Sequence, residues 1–372
     1  MKKILLFLLI LTVILAAIAR IRYGGGKPYA NLTAAALLSS DMLEVVLDYP
    51  EPIGNVAVSD AGRLFFTVHP ESRPKGNKLL EYVNGAAVPY PTIQQQLELF
   101  DTVLGVAIDQ HDRLWTIDHG NHGMRRARLL AFDLNTGEVI HDHRLPPDIA
   151  PIGSFLQDLQ VSADGRTLVI ADASFWRKSP AIIVYDIESA TARRVLESHP
   201  TVSAEDYVIS SGDREMSFFG GLVSLRGGID GIALGPEWLY FAALSGSELY
   251  RVRLRDLRDE NLPESQLAKR VESYSVKPLS DGLSIDIEGN VYVTDVEHRA
   301  IFIVGADRDP QTLLQSSDIR WPDALSFGPG GWLYVADSAL SDVVLQPQDH
   351  IRSQSPYKIF RFQPGTEGIP GQ

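Results

Sequence analysis

The stretch Gly282-Leu-Ser-Ile-Asp-Ile-Glu-Gly-Asn-Val-Tyr292 decides the fold of this chain. Its two halves alternate apolar and polar side chains with a period of two, and the Glu-Gly-Asn between them suits a tight turn. This pattern is typical of a β-hairpin. The same pattern recurs along the chain, with further copies that start at Gly54, Gly105, Asp158, Gly231 and Ala324.

The spacing of these hairpins indicates a repeated unit of four strands. Successive copies start 51, 53, 73, 51 and 42 residues apart, and a third apolar strand follows most of them, as at residues 181–186 and 300–304. Because one four-stranded blade cannot bury both of its faces, such units must stack around a common axis. The sequence therefore predicts an all-β chain that forms a six-bladed β-propeller of four-stranded antiparallel blades.

The same pattern predicts where the propeller begins and ends. A final strand near residues 357–362 leaves the last blade one strand short, and residues 42–49 precede the first hairpin. We expect this N-terminal strand to pair with the C-terminal one and close the ring. The predicted boundaries are a linker at 24–41, a propeller at 42–364 with an insertion at about 191–225 between blades 3 and 4, and a tail at 365–372.

Residues 1–23 differ from the rest of the chain. Two lysines precede an uncharged, largely apolar run at 4–19 that ends in Ala-Ile-Ala, a pattern that export peptidases accept. Arg20 and Arg22 follow the run and disfavour cleavage. We predict a signal peptide or an N-terminal membrane anchor, and hence a periplasmic or extracellular protein. Membrane contact is expected only through this segment, if it is not cleaved.

Composition excludes some partners. The chain has no cysteine and a formal net charge of −13. Because each contact with a nucleic-acid phosphate needs a compensating Lys or Arg, nucleic acid is excluded as a partner. The expected partner is a small molecule, and the expected state is a monomer.

Aspartates recur at equivalent positions of the hairpins. The start of the first strand and the end of the second lie at one end of a hairpin, and blades converge on the axis. The starting positions carry Asp158, Asp230, Asp281 and Asp323, and the ends carry, among others, Asp118 and Asp172. We expect the starting carboxylates to ring one mouth of the channel, where crowded like charges bind protons or a cation. An Asp at either end of a strand also accepts hydrogen bonds from the backbone of its own turn. This structural role is favoured for the aspartates that end the second strand, and it stays open for those that start the first strand.

Several of these motifs, in this order, resemble the Yellow and major royal jelly protein family, whose bacterial members are often called dopachrome-tautomerase-related. The resemblance covers roughly residues 45–345 and runs through 103–120, 179–186, 228–234, 280–282 and the Arg-Trp-Pro-Asp at 320–323. It implies a six-bladed propeller, secretion and small-molecule binding in the axial channel. Proposed roles in the family include binding of biogenic amines and conversion of dopachrome.

A more distant likeness is to the gluconolactonase and regucalcin propellers, which implies one divalent metal held by Glu, Asn and Asp. Asp230 or Asp281 matches the metal-binding Asp, and oxygen-only ligands favour Ca²⁺ or Mg²⁺. The other two ligand positions depart from the pattern and carry Ile53 or Gly54 and Gln157 or Asp158.

Three hypotheses about function follow. The first is a small amine or aromatic ligand bound at the acidic mouth, with tautomerase-like isomerisation as a further step and His119 as candidate catalytic proton carrier. Its candidate ligand-binding residues are Asp158, Asp230, Asp281, Asp323, Asp118, Asp172, Trp176 and Trp321. The second is a metal-dependent lactonase or related hydrolase, and the third is a protein-interaction scaffold. The sequence alone leaves open whether the chain is an enzyme.

Overall fold

The computed structural model describes residues 1–369, and the last three residues of the predicted tail lie outside this range. Six four-stranded antiparallel sheets make up the body of the chain. The prediction of a six-bladed β-propeller is therefore confirmed.

The strands follow one another blade by blade. The chain begins with α1 (Lys2–Tyr23) and then reaches β1 (Glu44–Tyr49). Blade 1 contains β2 (Ile53–Val58), β3 (Leu64–Val68), β4 (Leu79–Val83) and β5 (Ala86–Pro89). Blade 2 contains β6 (Val103–Ile108), β7 (Arg113–Asp118), β8 (Arg128–Asp133) and β9 (Val139–Arg144). Blade 3 contains β10 (Leu156–Val161), β11 (Thr167–Asp172), β12 (Ala181–Asp186) and β13 (Thr191–Val195).

Two small hairpins separate the halves of the ring. They are β14 (Ser210–Ser211) with β15 (Arg214–Glu215), and β16 (Ser217–Phe218) with β17 (Val223–Ser224). Blade 4 contains β18 (Ile229–Leu234), β19 (Trp238–Ala243), β20 (Glu248–Arg253) and β21 (Glu272–Val276). Blade 5 contains β22 (Leu283–Ile285), β23 (Val291–Asp295), β24 (Ala300–Val304) and β25 (Pro310–Gln315). Blade 6 contains β26 (Pro322–Gly328), β27 (Trp332–Asp337) and β28 (Tyr357–Phe362), together with β1.

Apart from α1, the α-helices found in residues 1–369 lie in the connections between strands. The short α-helices are α2 (Ile93–Leu99), α3 (Gly120–Gly123), α4 (Leu254–Arg258), α5 (Glu264–Leu267) and α6 (Gln348–Ser353). Turns of 3₁₀ helix lie at Ser40–Met42, Pro70–Ser72, Pro200–Val202, Ala268–Arg270, Pro329–Gly331 and Leu340–Asp342.

The ring closes as predicted, because β1 pairs with β28 from Glu44 opposite Arg361 to Tyr49 opposite Tyr357. Ion pairs reinforce the same edge, with 2.9 Å between Arg361 Nη2 and Glu44 Oε2. The N-terminal strand thus covers an edge that would otherwise expose unpaired backbone groups.

Glycines let the inner strands of neighbouring blades approach each other closely. A Cβ atom built on Gly231 would lie 2.2 Å from the carbonyl oxygen of Asp281, and one built on Gly282 would lie 2.5 Å from that of Asp323. Real Cβ atoms do not tolerate such distances. The Asp-Gly pairs at 230–231 and 281–282 therefore bring the aspartates of adjacent blades together.

The structure changes one predicted boundary and shows how the predicted linker is packed. Residues 191–195 form β13, the fourth strand of blade 3, so the insertion starts after this strand rather than at about 191. The predicted linker at 24–41 is packed against the propeller: Lys27 forms a β-bridge with Tyr207 of the insertion, and Leu38 N donates to Leu313 O of blade 5 at 2.8 Å. Sequence periodicity cannot reveal such packing, since it depends on residues far apart in the chain.

Candidate functional site

Four carboxylates meet at one end of the central channel. Asp158, Asp230, Asp281 and Asp323 line a single cavity of ≈ 20 Å³, together with Asn55 from blade 1. This volume holds about one water molecule. The structure therefore brings together all four starting aspartates of the sequence pattern, and we call this group the acid floor.

Hydrogen bonds link the floor across blades. Asp158 accepts from its neighbour Leu159 N at 2.8 Å and from Ile232 N of blade 4 at 3.2 Å. Asp230 and Asp281 share a side-chain hydrogen bond. The indole Nε1 of Trp321 donates to Asp281 Oδ2 at 2.7 Å. Trp321 is fully buried and so orients the floor rather than stacking on a ligand, in contrast to the sequence prediction.

Burial changes the protonation of these carboxylates. Desolvation raises the pKa values of Asp158 and Asp281 to about 7. Desolvation, reinforced by neighbouring carboxylates, raises the pKa values of Asp230 and Asp323 well above the ordinary range. Four carboxylates around one small buried cavity cannot all be ionised at once. The acid floor therefore holds shared protons near neutral pH. A bound cation would stabilise the ionised forms and release those protons.

One corner of the floor faces a histidine. His69 Nε2 lies 3.7 Å from Asp323 Oδ2, an oxygen without a hydrogen-bond partner among residues 1–369. The other ring nitrogen of His69 accepts from Glu71 N at 3.1 Å, which assigns the proton to Nε2 in the neutral ring. Burial lowers the pKa of His69 to about 4. A neutral N–H therefore points towards Asp323 at neutral pH.

Lys277 is a buried lysine that sequence reasoning missed. Its side chain is fully buried, and Nζ donates to Pro278 O at 3.0 Å. Burial lowers its pKa to about 7, while Glu205, Asp295, Asp230 and Asp281 oppose that shift. A lysine within the apolar run 276–279 was the available signal, although nothing local shows that this run passes beside the acid floor.

A larger cavity of ≈ 110 Å³ opens above the floor, and we call it the chamber. Asp230, Asp281 and Gln157 belong to both cavities, so the acid floor forms the bottom of the chamber. Its walls are largely aromatic and aliphatic and include Phe155, Phe175, Trp176, Phe218, Leu225 and Leu340.

Three separate segments contribute apolar side chains to these walls. The loop after β11 supplies Phe175 and Trp176, and the hairpin β16–β17 in the insertion supplies Phe218 and Val223. The segment after β27 supplies Leu345. Trp176 is the one predicted aromatic ligand-binding residue that lines the chamber.

A cluster of histidines forms one side of the chamber. His122 and Glu71 line the wall and pair at 3.1 Å between Nε2 and Oε1. His119 lies behind this wall, with its ring 4.6 Å from that of Phe155 and its Nδ1 accepting from His122 N at 3.0 Å. Burial, reinforced by His122 and His69, holds the pKa of His119 well below its usual value. The geometry thus places His122, rather than the predicted His119, where a ligand would contact it.

The strand-end aspartates have structural surroundings. Asp118 accepts from Thr102 N and from Gly120 N, both at 2.9 Å. Asp172 pairs with Arg194 at 2.8 Å and accepts from Phe155 N at 2.8 Å. Neither side chain lines the floor or the chamber. Their oxygens satisfy nearby backbone and Arg donors instead of facing the axis, as the structural alternative expects.

The donors in the part of the chain that the structure describes are not arranged as a metal site. Among residues 1–369 no group of three His, Asp or Glu side chains is arranged to hold a metal ion. The oxygens of Asp230 and Asp281 instead bond to each other, to Gln157 and to Trp321. A Ca²⁺ or Mg²⁺ ion at these two residues therefore stays a prediction.

Solved structures share the fold. A luciferin-regenerating enzyme superposes with a TM-score of 0.57 at 12% identity, over 88% of this chain and 97% of that one. Regucalcin from Agrobacterium tumefaciens, described as a calcium-binding protein, gives 0.56 at 14% identity, over 91% and 98% of the two chains. A gluconolactonase from Xanthomonas campestris gives 0.52 at 13% identity, over 86% and 88%.

Sequence comparison identifies the family. Major royal jelly protein 1 of Apis mellifera is 27% identical over 178 residues, which are 44% of this chain and 39% of that protein. Major royal jelly protein 8 of the same species is 31% identical over 162 residues, which are 39% of this chain and 36% of that protein. The matched segments thus span less than half of either relative. The family model described as "Major royal jelly protein" matches residues 101–320, more than half of the 372 residues. The chain therefore belongs to the major royal jelly protein family.

Proposed function

We propose that this chain is an exported propeller that binds a small aromatic amine in the chamber. One observation carries the proposal: a single cavity combines an acidic bottom with aromatic walls. The ammonium group would approach Asp230 and Asp281, and the ring would lie against Phe155, Trp176 and Phe218. Export is supported by the apolar N-terminal helix α1, which fits a signal sequence.

The electrostatics of the floor favour a cation over a neutral ligand. An ammonium ion beside Asp281 offsets the desolvation that raises the pKa of this carboxyl to about 7. Binding then releases protons, and affinity rises as the pH increases towards and beyond 7. Aromatic faces on the walls add attraction to the same cation.

The chamber also suits a tautomerase-like step, in which one proton leaves one atom of the substrate and another is returned elsewhere. His122 and its partner Glu71 stand on the wall and can accept or donate a proton. Asp230 and Asp281 share protons at the bottom. Such an isomerisation needs no oxidant and no metal. The family resemblance to dopachrome-tautomerase-related proteins supports it.

Tyramine and 4-ethylphenol form a matched pair of ligands, because they differ only in the amine. We expect calorimetry to show that tyramine binds more tightly, releases protons and gains affinity between pH 5.5 and 7.5, roughly the range in which the floor titrates. Asp230→Asn should weaken tyramine binding without affecting 4-ethylphenol, and Trp176→Ala should weaken both. Asp142→Asn, which removes a half-exposed carboxylate on the outer strand β9, is the control.

The same variants test the alternatives. Equal binding of the two ligands, with no change in Asp230→Asn, would refute the amine proposal. Thermal stabilisation by Ca²⁺ or Mg²⁺ and lactone hydrolysis, both lost in Asp281→Ala, would instead support the lactonase. No response to amines, phenols or metals would support the protein-interaction scaffold. Decay of dopachrome absorbance, compared between the wild type and His122→Gln, tests the isomerase step.

A further inference from the structure

We propose that α1 is retained as a membrane anchor and that the rim of the chamber docks on the lipid bilayer into which α1 inserts. The rim is the surface around the mouth of the chamber, and its docking does not depend on which ligand the chamber binds. Three features support this arrangement: the exposure of α1, the attachment of its C-terminal end, and the exposed apolar side chains of the rim.

The first feature is an apolar helix in which no residue is buried. Residues Lys2–Tyr23 contain an 18-residue window of mean hydropathy 2.9, none of which is buried. At about 1.5 Å per residue, 22 helical residues extend about 33 Å, enough to cross a hydrocarbon layer of about 30 Å. Two lysines lie at the free end, where they favour the cytoplasmic side. A bilayer is the occupant that this length and charge pattern fit.

The second feature is the attachment of α1 to the chamber wall. Tyr23 OH donates to Trp176 O at 2.8 Å, and Arg22 Nη2 donates to Arg177 O at 2.7 Å. Arg20 donates to the carbonyl of Gly221, in the turn of the hairpin β16–β17. Both contact regions also supply chamber walls. The anchor therefore ends at the mouth of the chamber rather than on a remote blade.

The third feature is a set of large apolar side chains exposed on this rim. Trp176 and Leu345 line the chamber yet remain 43% and 53% exposed, and Phe219 at the hairpin turn is 68% exposed. Phe219 also has a φ of 54°, which is unfavourable for a bulky residue. Ile152 is 77% exposed beside Gly153, whose N donates to His122 O. With α1 inserted, these side chains face the lipid interface, where Trp and Tyr are favoured.

The charges nearby suit lipid headgroups. Arg20 and Arg22 lie at the C-terminal end of α1, next to the rim, although the chain as a whole has a formal net charge of −13. Cationic side chains beside an apolar surface are attracted to phosphate groups at a membrane interface. The rim therefore combines both chemical features of a membrane-docking surface.

The absence of cysteine from the chain permits a direct test. The full chain is reconstituted into phosphatidylethanolamine–phosphatidylglycerol vesicles, with one environment-sensitive fluorophore on Phe219→Cys or on Ile287→Cys. Ile287 is the matched control, since it is 61% exposed but lies in the turn between β22 and β23, at the opposite end of the channel. We expect nitroxide-labelled lipids to quench the label at 219 and to leave the label at 287 unaffected.

Three results would overturn the proposal. Lipid quenching at position 219 that is no stronger than at position 287 would show that the rim does not dock on the bilayer. A label at 219 that is shielded from water but not quenched by lipid would show that a protein covers the rim. Intact-mass measurement of protein from the exporting cell is the third check, because a mature chain that begins after Ala19 would show that no anchor remains. Equal melting temperatures of both variants and the wild type confirm that the fold is unchanged.

Discussion

Replacing Asp281 by asparagine is expected to flatten the dependence of the free energy of unfolding on pH. Burial raises the pKa of this carboxyl from 3.8 to about 7 in the folded state. A carboxyl with a raised folded pKa contributes stability below its unfolded pKa of about 3.9 and loses it as the pH rises to the folded value. Asp281 thus lowers the free energy of unfolding as the pH rises from about 4 to 7.

The magnitude follows from the size of the shift. One proton released on unfolding changes the free energy by about 1.4 kcal/mol per pH unit, or about 4 kcal/mol over the whole window. In Asp281→Asn the new side chain keeps an oxygen for the indole of Trp321 and an amide N–H for Asp230, so the variant removes the titration and retains the shape. His69 changes stability in the opposite direction, because its pKa is lowered to about 4. His69 contributes equally to the variant and to the wild type, so its contribution cancels in the difference between their free energies of unfolding.

Urea denaturation at intervals between pH 5 and 7 measures this effect. Lys277 does not contribute to the pH dependence below its folded pKa of about 7, because it is protonated there in both the folded and the unfolded chain. We expect the free energy of unfolding of the variant to rise relative to that of the wild type with increasing pH, by up to about 1.4 kcal/mol per pH unit. Asp349→Asn controls for the loss of one charge, because its side chain is 93% exposed. Parallel profiles of Asp281→Asn and wild type would refute the assignment of a shared proton to the floor.

Three further predictions concern stability and closure. Asp172→Ala removes the buried carboxylate that pairs with Arg194, and we expect urea denaturation to show a loss of about 3–5 kcal/mol, since a buried guanidinium is left undercompensated. Gly231→Ala places a Cβ against the Asp281 carbonyl and should cost about 1–3 kcal/mol in thermal denaturation, whereas Gly76→Ala, which meets nothing within 4 Å, should not. A chain that starts at residue 50 lacks β1 and should aggregate through the free edge of β28 in size-exclusion chromatography, whereas one that starts at residue 43 should not.

The blade repeat is a local property, which is why sequence alone predicted it. Each hairpin shows its period of two and its turn within about a dozen residues. Counted from the final hairpin, the last blade contained only three strands, so β28 needed a partner from the N-terminal end of the propeller. The repeat also placed Asp158, Asp230, Asp281 and Asp323 at equivalent positions. Equivalent positions in a closed ring must lie around one axis, so the acid floor followed from the same argument.

Other parts of the site depend on contacts between distant segments. The sequence left open whether Asp158, at the start of its hairpin, faces the channel or bonds to its own turn, because side-chain direction depends on neighbouring blades. In the structure Asp158 lines the channel cavity and also accepts from Ile232 N of blade 4. His119 and His122 share one loop, but only His122 reaches the chamber wall.

The sequence by itself therefore determined the propeller, its closure and its ring of carboxylates, because these arise from local patterns repeated about an axis. Only the tertiary structure decided that the insertion hairpin covers the floor, that Lys277 is buried nearby, and that α1 ends at the rim of the chamber. Those arrangements join segments separated by tens to hundreds of residues. Packing free energy, rather than local periodicity, selects them.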